Sequence, residues 1–254
     1  MKKTIVYAVT ASVIIVALSC YFSEYLQRRD KVERLVVAYQ DYVFISNTQV
    51  YWNSCGKGKR LVANNLAYNG GAQPLGSWRL ASLYNLQGIE QSGVPQDEWR
   101  FDYLKSWNDP SNKSFHVRYY SWEDNPKSSV YNHTNVMAIT GKGTAMERWQ
   151  TATTSEALSG LEETIILIEV GGDSKIHWGE PGDFEVDKIT YEDVFPEGVQ
   201  EIMVVFGDGE IWRVKDTVPF NVFKKFLTVN DNEWRDRRKE LLPYSKIAYR
   251  RNSK

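Results

Sequence analysis

The densest group of chemistry-bearing side chains is His177, Glu180 and Asp183, with Trp178 among them and Glu169 and Asp173 shortly before. A histidine and two carboxylates at steps of three could hold a divalent cation or supply an acid and a base. Their neighbours argue for something plainer. Gly179, Pro181 and Gly182 punctuate the stretch, and such residues build loops, not the helical i, i+4 geometry of a metalloprotease helix. The expectation is a rigid loop whose polar side chains hydrogen-bond their own backbone. His116 and His133 stand alone and read as structural. Asp183, Asp187 and Asp208 offer oxygens that could take calcium, without the spacing of an EF-hand loop.

Other chemistries find no pattern. The glycines and basic residues at 56–60 lack the spacing of a phosphate loop and its following Ser or Thr. There is no G-x-S-x-G nucleophile turn and no Cys/His cluster with zinc-site spacing. Cys55 has no recognisable catalytic partner, and with Cys20 in an apolar segment there is no disulfide framework. No catalytic centre and no cofactor are expected, calcium being the one ion considered.

The whole chain has 254 residues and a formal net charge of -1. That balance argues against bulk attraction to nucleic acid. Nine Trp and fifteen Tyr suit either a β-rich core or a binding surface.

Lys2 and Lys3 precede an uncharged run from Ile5 to Phe22. As a helix it would span about 27 Å, close to a bilayer's hydrocarbon thickness of roughly 30 Å. A transmembrane anchor over residues 5–22 is expected. A cleaved signal peptide and a lipoprotein signal ending at Cys20 are the alternatives. Flanking charge does not orient it. Lys2 and Lys3 favour a cytoplasmic start, while Arg28, Arg29, Lys31 and Arg34 pull the other way.

An amphipathic helix is expected to follow over 23–50, with Val32, Leu35, Val36, Tyr39 and Val43 as its apolar stripe. Trp78–Leu86 reads as a short helix. Strands are expected around 116–122, 136–139, 164–170, 201–206 and 210–214. Asp208–Gly209 between the last two predicts a hairpin. Pro219, Phe220, Phe223, Phe226 and Leu227 predict a closing helix. From 234 the chain is basic and reads as a solvated tail, with contact to an acidic polymer or lipid as the sharper possibility. The expected organisation is an anchor (1–22), a helical spine (23–50), an α+β head (51–233) and the tail (234–254).

Several separated stretches resemble the DUF1559 proteins, pseudopilin-like or type IV pilin-like secreted proteins of planctomycete bacteria. They are Ser77-Trp78-Arg79, the Trp107 to Lys113 segment, Gly141-Lys142-Gly143-Thr144-Ala145, Thr164 to Val170, His177 to Asp183, and Phe206-Gly207-Asp208-Gly209. They fall in the family's order over roughly residues 75–230. The resemblance implies a pilin-like architecture, a long N-terminal helix packed on an antiparallel β-rich head, with the head outside the cytoplasm, in the periplasm or at the cell surface. It also marks His177, Trp178, Glu180, Asp183 and Asp208 as a family-motif loop open to ligand or ion contact. The pilin-type processing site, a Gly-Phe-Thr-Leu-x-Glu sequence, is missing, so the resemblance does not carry filament assembly with it. The functional expectation is a membrane-anchored, non-enzymatic envelope protein with a structural or interaction role. Its partners would be the membrane and other envelope proteins or polysaccharide. The alternative is a carbohydrate- or small-ligand-binding module using Trp99, Trp107, Trp122 and Trp178.

Overall fold

A computed structural model describes residues 19–44, 78–79, 89–91, 107–110, 115–117, 133–151, 161–171, 176–180, 182–229 and 235–251. The apolar run lies outside these residues as far as residue 18. Cys55, Trp99, Trp122, Asp173 and most of the helix expected at Trp78–Leu86 also lie outside them. Among the described residues no helix is long and apolar enough to cross a membrane.

The chain divides into two compact units, Met1–Arg34 and Leu35–Lys254. A helix occupies residues 19–44 and so contributes to each. In the first unit, ion pairs one turn apart line it: Arg28 with Glu24 (3.4 Å), Arg29 with Glu33 (2.8 Å) and Arg34 with Asp30 (2.5 Å). The two exposed pairs, Arg28–Glu24 and Arg29–Glu33, add little stability but suit a helix surface, while Arg34–Asp30 is part-buried.

In the second unit the helix buries Leu35, Ala38, Tyr39 and Tyr42. The buried face is therefore turned from the expected stripe, leaving Val36 and Val43 partly open. The reason lies in shape and in polar tips. Ala38 allows close approach, and the tyrosines bury rings whose hydroxyls can find partners. The Tyr39 hydroxyl donates to the Gly207 carbonyl (3.1 Å), and the Tyr42 ring meets Trp78 edge-on at 6.0 Å.

The second unit is α+β. Its strands are β1 (Ile89–Gln91), β2 (Phe115–Val117), β3 (His133–Thr134), β4 (Val136–Thr140), β5 (Ile165–Glu169), β6 (Ile176–His177), β7 (Phe184–Glu185), β8 (Glu201–Phe206), β9 (Ile211–Lys215) and β10 (Ser245–Tyr249). Six form one sheet in the order β10-β9-β8-β5-β4-β7, and β1-β2 and β3-β6 form small pairs. All pairings are antiparallel except the parallel β4–β7 edge. Every residue of β4 and β5 is buried, which explains why both read as unbroken apolar runs and not as alternating ones.

The expected hairpin forms between β8 and β9. Gly209 in its turn has φ +86°, and a Cβ there would lie 2.8 Å from Tyr39 Cε1. Backbone conformation and helix approach both demand glycine. The closing helix is Phe220–Lys225, with Pro219 at its N-cap and not in its first turn. Phe223, Phe226 and Leu227 pack with Phe206 and Trp212 in the main core. Two short helices had no clear sequence signal, Ala145–Thr151 and Tyr191–Val194, the latter closed by a Thr190–Asp193 capping box.

The basic stretch from 234 requires a correction, because it is not a solvated tail. Arg237–Glu240 is a helix, Leu242–Tyr244 a 3-10 turn, and β10 pairs antiparallel with β9 at the sheet edge. Leu241 is fully buried and Ile247 packs on the core. Burying these apolar groups, at roughly 1.5–3 kcal/mol for a full aliphatic side chain, favours folding of the segment over solvation. The head therefore extends past 233.

Candidate functional site

The loop that carries His177, Trp178, Glu180 and Asp183 runs from β6 to β7, and the structure brings these four residues together. What organises them is a fifth residue. Arg79, 0% exposed, sits in the 3-10 turn with Trp78. Its Nε donates to the Trp178 carbonyl (2.8 Å) and its Nη2 to the Glu180 carbonyl (3.2 Å). Its Nη1 donates to the Val136 carbonyl (3.2 Å) and to Asp183 Oδ1 (2.9 Å). Trp78 Nε1 (3.1 Å) and the Ala138 amide (2.9 Å) donate to the same Asp183 oxygen. The Asp183 side chain is wholly buried, although its backbone is partly open. A planar cation with five N–H groups is the one side chain that can tie two turns of a loop and a strand end to one carboxylate.

The rest of the loop closes on itself. His177 Nδ1 accepts the Gly179 amide (3.2 Å). Glu180 Oε2 accepts the His177 amide (3.3 Å), and the Glu180 amide returns to the His177 carbonyl (2.8 Å). His177 is 5% exposed and pairs with His133 across β3–β6. Trp107, partly open, lays its ring on His177 with centroids 4.9 Å apart. Trp178 is 1% exposed and cannot offer a face to a sugar. Glu169 is buried and accepts from Asn135 Nδ2 (3.3 Å).

Asp208 belongs elsewhere, in the β8–β9 turn. Its Oδ1 accepts the Glu210 amide (2.9 Å), and its carboxylate is clamped by Arg237 from the C-terminal segment. Arg237, 4% exposed, also donates to the Glu162 carbonyl and lies over the Phe206 ring (4.4 Å) and the Trp212 ring (5.4 Å). Glu210 accepts Arg238 Nη2 (2.9 Å to Oε1) and Trp212 Nε1 (2.9 Å to Oε2). Asp183, Asp187 and Asp208 are thus not gathered at one point. Among the described residues no group of three His, Cys, Asp or Glu is placed to hold a metal ion.

Beside this turn lies a groove of about 240 Å³, lined by Val36, Tyr39, Val43, Phe44, Tyr249 and Arg251 among others. None of the candidate residues lines it. Arg251 Nη1 donates to the Tyr39 hydroxyl (3.1 Å). Burial raises the Tyr39 pKa above its ordinary 10.0; the nearby Arg251 guanidinium opposes that, and Asp208 adds a smaller push upward.

Sequence reasoning missed Arg79 and Arg237 as organising residues. Arg79 stood in a recognised motif, but its partner Asp183 is 104 positions away, and no local pattern reports such a pairing. No family model matches the chain, and no match exists among the curated proteins or the solved structures.

Proposed function

We propose that the chain is a membrane-anchored, non-enzymatic protein of the cell envelope, pilin-like in organisation, with a structural or interaction role. The head is placed outside the cytoplasm and the anchor at residues 5–22. One observation carries this reading: His177 Nδ1, Glu180 Oε2 and Asp183 Oδ1, in the polar constellation most able to do chemistry, are already held by neighbouring backbone and side chains. Arg79 takes the loop carbonyls and Asp183, while His177 Nδ1 and Glu180 Oε2 accept backbone amides. A general base needs its lone pair aimed at a substrate proton, and here the Nδ1 lone pair is aimed at Gly179. A long helix and a mostly antiparallel β-rich head, with helix residues Leu35, Ala38, Tyr39 and Tyr42 buried, also fit the architecture implied by the DUF1559 resemblance. The sugar-binding alternative loses Trp178, which is buried.

The test is chemical cross-linking in cells that express tagged full-length protein, followed by recovery from the envelope. Co-purification of pilus, secretion or other envelope components supports the reading. Their absence, combined with binding of the purified protein on a glycan array, would replace it with the module reading.

A further inference from the structure

The described helix begins with an unusual surface in the first unit. Tyr21, Phe22, Tyr25 and Leu26 are 71%, 61%, 56% and 44% exposed. At 3.6 residues per turn they project within an arc of about 140°. Cys20, Ser23, Glu24 and Gln27 take up the other side. Four large, mostly apolar side chains on one side of about a turn and a half stay largely exposed within the described chain.

We infer that Tyr21, Phe22, Tyr25 and Leu26 form a belt seated in the headgroup layer of a bilayer, with the helix leaning that side into the membrane. The inference rests on the anchor reading and adds where the bilayer ends and which side of the helix meets it. Three observations select lipid as the occupant. The belt is continuous with the uncharged run, sharing Tyr21 and Phe22 with it. One further turn adds about 6 Å to about 27 Å, passing from hydrocarbon into the polar zone of a bilayer some 40–45 Å thick overall. Its composition fits that zone, because tyrosine buries a ring while its hydroxyl stays hydrated, and aromatic residues collect at membrane–water boundaries. Glu24, on the side away from the belt, pairs with Arg28, and the basic residues start one position past Gln27 with Arg28 and Arg29, the latter paired with Glu33. A second copy of the helix is the poorer occupant. The apolar arc is wider than a two-position coiled-coil seam, and tyrosine hydroxyls shut between helices would need partners.

The test places dansylalanine singly at position 22, 26 or 33 of the full-length protein, reconstituted in phosphatidylcholine–phosphatidylglycerol vesicles. At 22 and 26 the emission should be blue-shifted and quenched by headgroup spin-labelled lipid; at 33 it should be water-like and quenched by iodide. Protein that floats with the vesicles but shows iodide quenching at 22 and 26 overturns the belt alone. Blue-shifted emission that lipid spin labels do not quench also overturns it, in favour of helix pairing. Protein that fails to float overturns the anchor reading and the belt with it.

Discussion

Arg79 and Asp183 form a buried ion pair whose worth lies in what happens when one member goes. Removing one partner strands a charge out of water, at a cost of roughly 3–5 kcal/mol. Arg79→Lys keeps the charge but not the fork, so it should lower the stability of the full-length protein in detergent by about 3 kcal/mol, read from urea denaturation. An unchanged midpoint would mean the four contacts are dispensable. Gly207 and Gly198 give a second contrast. A Cβ at Gly207 would lie 2.4 Å from the Leu161 carbonyl oxygen, whereas one at Gly198 meets nothing, although its φ is +84°. Gly198→Ala should cost about 1–2 kcal/mol in backbone strain alone, and Gly207→Ala clearly more in the same denaturation series. Tyr39 adds a pH dependence. Its folded pKa is raised, so the folded state holds the neutral phenol. That contribution is complete below the unfolded value near pH 10 and is lost as pH rises through the folded value. Tyr39→Phe should therefore flatten the loss of stability as pH rises above about 10, where wild type declines. At this scale the sequence was legible for residue type and illegible for pairing. The loop at 177–183 was visible from Gly179, Pro181 and Gly182, but nothing local could say that Arg79 would hold it.

At the scale of elements, legibility followed the strength of the local pattern. The β8–β9 hairpin was readable because Asp208–Gly209 is turn chemistry between two apolar runs. The N-terminal helix was readable as a helix, but its buried face was not. The stripe through Val36 and Val43 was the more hydrophobic choice, and the packing instead used Ala38, where small size allows close approach, and Tyr42, whose ring meets Trp78 edge-on. The C-terminal segment was misread because its arginines were counted as free charge. They are matched by acids distant in sequence, with Arg237 on Asp208 and Arg238 on Glu210. Glu210 therefore acts as a clasp between the hairpin and the arm that carries β10. Glu210 Oε2 also lies 3.2 Å from Arg237 Nη2, so Glu210→Ala leaves the nearly buried Arg237 with one fewer carboxylate. Amide hydrogen exchange in Ser245–Tyr249 should quicken severalfold while exchange in Ile165–Glu169 stays slow. Equal protection in both strands would show that β10 is held by its ladder with β9 and not by the clasp.

At the scale of the whole molecule, the head is a six-stranded mostly antiparallel sheet, with residues 35–44 of a long helix against its β8–β9 turn and Trp78. Asp183 and Asp208, which looked chemical in the sequence, join its parts through two arginines that did not. Arg79 gathers the β6–β7 loop against β4, and Arg237 gathers the last strand against the hairpin. Polar groups spent in this way stabilise a scaffold, which is consistent with the proposed role of a folded head presented by an anchored helix. Flanking charge leaves the side of presentation open, since Lys2 and Lys3 oppose Arg28, Arg29, Lys31 and Arg34. The most direct test is protease accessibility in intact spheroplasts of cells expressing the full-length protein with a C-terminal epitope. Externally added protease should remove the epitope without lysis, from a protein that otherwise stays in the membrane pellet after alkaline carbonate washing. An epitope protected until the spheroplasts are lysed, or a protein released by carbonate, would contradict the account.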